Sequence, residues 1–430
     1  MAASQPEPLT PDDAAILALE SEAIAGHTLK LIVLEAGNEP LEVERLRASV
    51  ASRLDAEPRA RQRVSLSESG AEGPCWVTDD GFDIRAQVRA HEATLDDEAA
   101  LWTTAGELMS ERLDHRRPLW AFDLLGPLDD GRQAIVARIH HAMADGISSV
   151  RFLERVLWDS GPAAAPSRGG AAADERRSLG AELRHLPGAI HRELGGRASG
   201  SPFDRPIGSA RALAFTTVPL AELKRIGASR PGHVTVNDVL LGGVAGGLRA
   251  WLGSREGGSL PALRAQIPVS LHHREEGAGE LGNRDSFLNV DLPLAEPDPV
   301  ARLDQINAET SQRKRLGDAQ ELYDLFHALS RFKPLGRAAE RLAGGPREFS
   351  LSISNVPGPR TAISVAGRAV ERLCSCAEPA DRHALRVSAI SCAGTVGIGL
   401  CTDPEALPGV AGLATAIDDS FAELRATAIN

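Results

Sequence analysis

The chain is poor in lysine, in cysteine, in long apolar runs and in net positive charge, and each shortage excludes something. Only four of its 47 basic residues are Lys, at Lys30, Lys224, Lys314 and Lys333. Acidic residues number 59 and the formal charge is −12, which argues against nucleic-acid binding through bulk charge. The same balance opposes adsorption of the whole surface to anionic lipid, though not adsorption through a local patch. Five Cys in 430 residues is an odd, sparse set, unlike a disulfide framework. The start, Met1 to Glu7, has neither a basic region nor an apolar stretch, so no secretory leader is expected. No uncharged apolar run is long enough for a bilayer span. The nearest, Val387 to Cys401, is short and rich in Ser, Gly and Thr, and reads as paired strands. The expectation is a cytoplasmic protein that touches a membrane only from one side.

What is present is ordinary globular material. Hydrophobic residues at 43% and charged residues at 25% exclude disorder as the general state. The length suits two or three domains, or one large one. Helical spacing is read over Leu9–Ala25, Leu41–Leu54, Leu95–Leu113, Ile147–Leu157, Val236–Leu252 and Val410–Ala426, with a long helical region from Pro299 to Leu342. Strands are read at Thr28–Leu34, Phe82–Val88, Gln133–Ile139, Ala212–Val218, Leu263–Val269, Phe287–Leu292, Leu385–Ala389 and Val396–Leu400. Phe349, Leu351 and Ile353 alternate with Ser350, Ser352 and Ser354, a one-sided strand that runs into the turn Asn355-Val356-Pro357-Gly358-Pro359. Two Gly-, Ala-, Pro- and Ser-rich stretches mark residues 159–206 as a linker between an N-terminal part, 1–158, and a C-terminal part, 207–430. Strands and helices mix throughout, so the class is α/β or mixed α+β.

The sharpest feature is His140-His141-Ala142-Met143-Ala144-Asp145-Gly146. A His pair alone says little, since His272-His273 is another. Here the pair stands where a buried strand ends and a helix begins, the place at which open sheets present functional groups. A neutral imidazole there can take a proton from a hydroxyl or an amine. It must be fixed in tautomer and direction, and a tight turn closed by Gly146 and braced by Asp145 would do so. Asp145 could bond backbone amides or pair with an Arg. The rival readings are a plain Asp-Gly turn with two surface His, and a metal site with His141 and Asp145 as ligands, which lacks a third ligand at metal spacing.

At these residues the chain resembles the CoA-dependent acyltransferases with a chloramphenicol acetyltransferase-like fold, which include nonribosomal peptide condensation domains. Other segments narrow the likeness to the bacterial wax ester synthase/diacylglycerol acyltransferase family. They are Arg117-Pro118-Leu119-Trp120, Thr235-Val236-Asn237-Asp238-Val239, Pro268-Val269-Ser270 with Gly282-Asn283, Asn355 to Pro359, and Gly397-Ile398-Gly399-Leu400. The resemblance spans about Leu9 to Phe421. It departs at Gln87, where the family commonly has His, and near Gly394, where Cys392 replaces an aromatic neighbour.

The resemblance implies two subdomains, each a mixed sheet with flanking helices, around a central tunnel. It implies His141 as general base, with His140 beside it shaping the pocket. The co-substrate is acyl-CoA, the acceptor is a lipid alcohol, no further cofactor is needed, and contact with a membrane or lipid-droplet surface is expected. No G-x-S-x-G elbow supplies a nucleophile, so direct transfer without an acyl-enzyme is expected. The alternatives are an ester- or amide-forming acyltransferase of specialised metabolism and a catalytically inactive lipid-binding relative. Asn237 and Asp238 read either as a capping box behind Thr235 or as a group orienting the acceptor or an oxyanion. Pro118-Leu119-Trp120 reads as packing under the His strand, and Asn355 to Pro359 as the turn that fixes a strand crossing between the halves. Cys374, Cys376, Cys392 and Cys401 read as buried small residues. Arg331, Lys333, Arg337, Arg341 and Arg347 form a basic run, either a solvated helix face or a patch for CoA phosphates or lipid.

Overall fold

Two six-stranded mixed sheets carry the chain in a computed structural model that describes residues 6–66, 73–91, 95–159, 200–255, 260–270, 285–316 and 349–428. A three-stranded sheet of β1 (Glu7–Pro8), β3 (Gln62–Ser65) and β4 (Cys75–Thr78) lies beside them. The first large sheet has the order β12 (Ser364–Val365), β13 (Arg368–Ala377), β2 (His27–Leu34), β7 (Gln133–His140), β6 (Trp120–Leu125), β5 (Val88–Ala90). The second runs β10 (Asp285–Leu292), β9 (Leu263–Ser270), β11 (Leu351–Val356), β14 (Leu385–Cys392), β15 (Thr395–Thr402), β8 (Ala212–Pro219).

The helices of the first half are α1 (Pro11–Leu17), α2 (Val43–Ala51), α3 (Ile84–Gln87), α4 (Glu98–Ser110) and α5 (Gly146–Val156). Those of the second are α6 (Leu220–Ala228), α7 (Val236–Arg255), α8 (Pro299–Leu316) and α9 (Val410–Thr427). β2 and β7 are buried along their whole length, which explains their near-continuous apolar sequences. Leu29, Leu31 and Val33 enter a core with α4, while Ile32 and Leu34 enter the core on the other face with Phe152 and Leu153 of α5. The C-terminal half has its own core, built by one face of the second sheet and by α7 and α9.

The halves are interlocked. After β11 the chain leaves the second sheet at Val356 and enters the first as β12 and β13, with Leu373 opposite Ile32 of β2. It then returns to the second sheet as β14. The segment 207–430 therefore supplies two strands to the N-terminal sheet, which the division at the linker does not anticipate. Gly397 and Gly399 of β15 make this crossing possible. A Cβ on Gly397 would lie 2.0 Å from the Leu373 carbonyl oxygen, and one on Gly399 2.2 Å from that of Ser375.

Several sequence expectations change. Leu9–Ala25 is not one helix: α1 starts behind the Thr10 cap and stops at Leu17, and the rest is loop. Phe82–Val88 is not a strand. Asp83 accepts the Arg85 N–H at 2.9 Å and starts the short α3, and β5 begins only at Val88. The helices read at Leu41–Leu54 and Leu95–Leu113 are shorter, at Val43–Ala51 and Glu98–Ser110. Of the linker 159–206, residues 160–199 lie outside the described ones, but its ends are packed. Phe203 is in the second core. Asp159 accepts from the Ala366 and Gly367 amides at 3.0 and 2.7 Å and so closes the turn between β12 and β13. The segment 317–342 of the long helical region, the basic run Arg331 to Arg347, His272-His273 and Gly282-Asn283 lie outside the described residues. The run Val387–Cys401 forms a hairpin, β14 against β15.

Candidate active site

Strand β7 ends at His140, and the next residues turn sharply into α5. His140 is fully buried. Its backbone is tied to the neighbouring edge, because its N–H donates to the Leu119 carbonyl at 2.9 Å. Its carbonyl accepts from the Met143 N–H at 2.9 Å, closing the turn. Its ring Nδ1 accepts the Ala142 N–H at 3.1 Å. A neutral ring in that arrangement carries its proton on Nε2, which lies 2.7 Å from Glu20 Oε1. The same oxygen is 2.7 Å from His115 Nε2. Burial works to raise the Glu20 carboxyl, but the bonds and charges of His115 and His140 outweigh it and bring the pKa to about 2. His140 is thus a fixed part of the scaffold.

His141 follows directly. Its N–H donates to the Gly26 carbonyl at 2.8 Å, and the residue keeps partial exposure. Gly26 has a positive φ of 78°, and a Cβ there would sit 2.4 Å from His140 Nε2. No other residue type fits. Glu378 anchors the same loop by accepting from the Ala25 and Gly26 amides at 3.1 and 2.7 Å. Burial pushes the His141 pKa down to about 4. Arg386, His140 and Lys30 add positive charge in the same direction, and Asp145 opposes them. The ring is therefore neutral at physiological pH, the state a proton acceptor needs.

Asp145 is the N-cap of α5, its Oδ1 accepting the Ser148 N–H at 2.7 Å. Gly146 opens the helix against the other half of the molecule. A Cβ there would meet Val356 Cγ2 at 2.8 Å. The His-His-x-x-x-Asp-Gly turn and the Asn355 to Pro359 turn thus touch. His140, His141, Asp145 and Gly146 come together as one turn. Asn237 and Asp238 stand apart, at the head of α7. Asp238 is fully buried and accepts from Thr235 N–H (2.8 Å), Thr235 Oγ1 (2.7 Å), Asn307 Nδ2 (3.1 Å) and Thr310 Oγ1 (2.7 Å). The Asp238 N–H returns a bond to Thr235 Oγ1 at 3.2 Å. That is a capping box extended to a second helix. Among the described residues no hydrogen bond joins Asn237 or Asp238 to the His turn.

A metal site on His141 and Asp145 does not fit this geometry, since Asp145 is engaged at the helix end. A different trio, Glu20, His115 and His140, brings ligand atoms within 4.8 Å of one another. The His140 tautomer counts against a metal there, because Nε2 has no lone pair while Nδ1 accepts the Ala142 amide. The five thiols are free and four are buried. Burial raises Cys374 and Cys401 to about 12, so these two are neutral packing groups. Gln87 is buried and donates to the Pro118 and Trp120 carbonyls at 2.9 and 2.6 Å. Trp120, buried beside the His strand, donates its Nε1–H to Ala60 O at 2.9 Å.

Sequence reasoning missed four residues of this neighbourhood: Glu20, His115, Lys30 and Arg386. Glu20 and His115 carry no local signal, because their meeting with His140 depends on loops. Lys30 did carry one, a lone charge inside an apolar strand. Cavities of about 510 and 330 Å³ lie elsewhere, the larger between α4, β8 and α9 and the smaller beside Gln87 and Arg138. Neither has His141 in its wall.

Comparison with known proteins finds relatives in one family and one fold. The wax ester synthase/diacylglycerol acyltransferase catalytic domain matches residues 9–192, and the WS/DGAT C-terminal domain matches residues 281–425. A Mycobacterium tuberculosis protein named "Probable diacyglycerol O-acyltransferase tgs1" is 28% identical over 404 residues, covering 88% of this chain and 87% of its own. The solved wax ester synthase/diacylglycerol acyltransferase from Marinobacter aquaeolei VT8 has the same fold, with a TM-score of 0.72 at 22% identity over 99% of this chain and 100% of its own. The first condensation domain of the CDA synthetase is similar at a TM-score of 0.60 and 15% identity, over 99% of this chain and 97% of its own.

Proposed function

The chain belongs to the wax ester synthase/diacylglycerol acyltransferase family, and from that premise we propose that it moves a fatty acyl group from acyl-CoA to the hydroxyl of a lipid alcohol, with His141 as the general base. The observation that carries the reading is a neutral imidazole held at a strand end, in a turn whose Gly146 presses on Val356 of the other half.

In this reaction His141 takes the hydroxyl proton as the oxygen bonds to the thioester carbonyl carbon. The tetrahedral species collapses, the C–S bond breaks, and the proton passes to the departing sulfur, giving ester and CoA. His140 does not exchange protons; it fixes the turn through Ala142 and Glu20. Asp145 and Gly146 set the helix that closes the turn. General-base help of this kind contributes about 10²–10⁴ in rate, and positioning of both substrates supplies much of the rest. In this reading both substrates reach the ring through the central tunnel that the family resemblance implies.

The acceptors implied are diacylglycerol, which the names of the relatives print, and fatty alcohol, which a wax ester contains. No helix among the described residues is long and apolar enough to cross a membrane, so access to lipid acceptors is assigned to peripheral contact with a lipid surface. The test is purified protein with radiolabelled palmitoyl-CoA, offered diacylglycerol and hexadecanol in parallel. The expected result is labelled ester with one of them and release of CoA in equal amount. Hydrolysis alone, or no CoA release, would contradict the reading.

A further inference from the structure

The second sheet ends at β8, and among the described residues no strand pairs with the outer edge of that strand. The register shows which backbone groups are left there. The Leu220 N–H donates to the Gly394 carbonyl at 2.8 Å, one step beyond the pair Pro219–Thr395. Bonded and non-bonded pairs alternate along an antiparallel ladder. The even-numbered residues of β8 therefore bond to β15, and the N–H and C=O of Phe215 and Thr217 point outward. Among the described residues no backbone group bonds to them there. Pro219, next in the outward set, has no N–H to leave unpaired. Phe215 is only 4% exposed, and buried backbone groups are rarely without partners.

This edge lines the cavity of about 510 Å³, which has α4 on one side and α9 on the other. The lined stretch, Phe215 to Pro219, is about 13 Å long at about 3.3 Å per residue, enough for a short extended segment. Trp102 of α4 stands edge-on to Phe215, with 6.1 Å between ring centroids, and Phe421 of α9 adds a second aromatic wall. The Trp102 Nε1–H is buried and has no acceptor among the described residues. The carboxylates of the cavity are unequally matched. Glu98 is held by Arg132 and Arg372, and Glu222 by Arg425. Asp418 accepts from the Thr216 hydroxyl, and among the described residues no cation pairs with it. A second copy of the chain fits this edge poorly. Its own β8 is flanked by the same two helices, which would meet before the edges could pair.

We propose that this groove takes an extended peptide segment of another protein, which adds a strand to β8 and sets a Lys or Arg against Asp418. Pairing with Phe215 and Thr217 satisfies the outward backbone groups, and alternate side chains of the added strand enter between Trp102 and Phe421. The cation of the segment supplies the charge that Asp418 lacks. His141 is not in the wall of this cavity, so the added strand tethers the protein to a partner without entering the chemistry.

The test uses the full chain and a phage library of random heptapeptides. Sequences enriched on the wild-type chain should alternate in hydrophobicity and hold a Lys or Arg. As synthetic peptides they should bind with a Kd of about 100 μM or tighter. N-methylation of such a peptide should weaken binding about tenfold at every second amide, those that face β8, and leave the alternate positions unchanged. Thr217→Pro removes an outward N–H and spares the β15 ladder. That variant and Asp418→Asn, each shown folded by circular dichroism, should each weaken binding about tenfold. Should Thr217→Pro not fold, Asp418→Asn and the N-methyl series decide. The proposal is overturned when no enriched sequence reaches that Kd, when the N-methyl series shows no alternation, or when neither folded variant weakens binding. Light scattering that finds a dimer of the wild-type chain, lost in Thr217→Pro, also overturns it and assigns the edge to a second copy.

Discussion

His141 has to be uncharged to accept a proton, and its surroundings favour that form. Burial and the nearby cations place its pKa at about 4, against about 6.5 for a free imidazole. A lowered pKa moves the acid limb of a base-dependent rate downward. The kcat/KM of the wild-type chain should therefore hold from neutral pH to about pH 5.5 and fall only below it. A limb near pH 6.5 would show that the ring is unperturbed. Residue by residue, legibility in the sequence followed distance along the chain. The pairing of Thr235 with Asp238 was readable because the partners of a capping box stand only three positions apart. The partners Asn307 and Thr310, about seventy residues away, were not. The His turn was readable for the same local reason, and its Glu20 brace was not.

At the scale of elements, the strand-turn-helix unit of β7 and α5 was evident from a β-branched run followed by one apolar face, and the fold keeps both. The β14–β15 hairpin was equally evident. Phe82–Val88 misled because alternation over seven residues cannot reveal that Asp83 will cap a helical turn. The glycine that joins α5 to the other half gives a direct test. Gly146→Ala places a methyl against Val356 and should cost about 1–3 kcal/mol in denaturant unfolding. Val356→Ala should restore most of that loss in the double variant. Equal losses in the presence and absence of Val356 would show that the two turns do not press on each other.

The whole molecule is two halves that share structure. β13 belongs by sequence to the second half and by pairing to the first, and Phe215 and Cys401 of the second sheet enter the core of α4 and β2. Calorimetry should accordingly show one cooperative transition, and two well-separated transitions would contradict the interlocked core. The mixed α/β class was legible in composition and periodicity. The crossing of β13 was not, because pairing between strands more than three hundred residues apart leaves no local pattern. The family resemblance supplied the pairing of two sheets that periodicity could not. The chemistry we propose converges on one ring, that of His141. The most direct measurement is the initial rate of palmitoyl transfer by His141→Ala beside the wild-type chain, both shown folded by calorimetry. The account requires kcat to fall about 10²-fold or more. Turnover within a few-fold of wild type would contradict it.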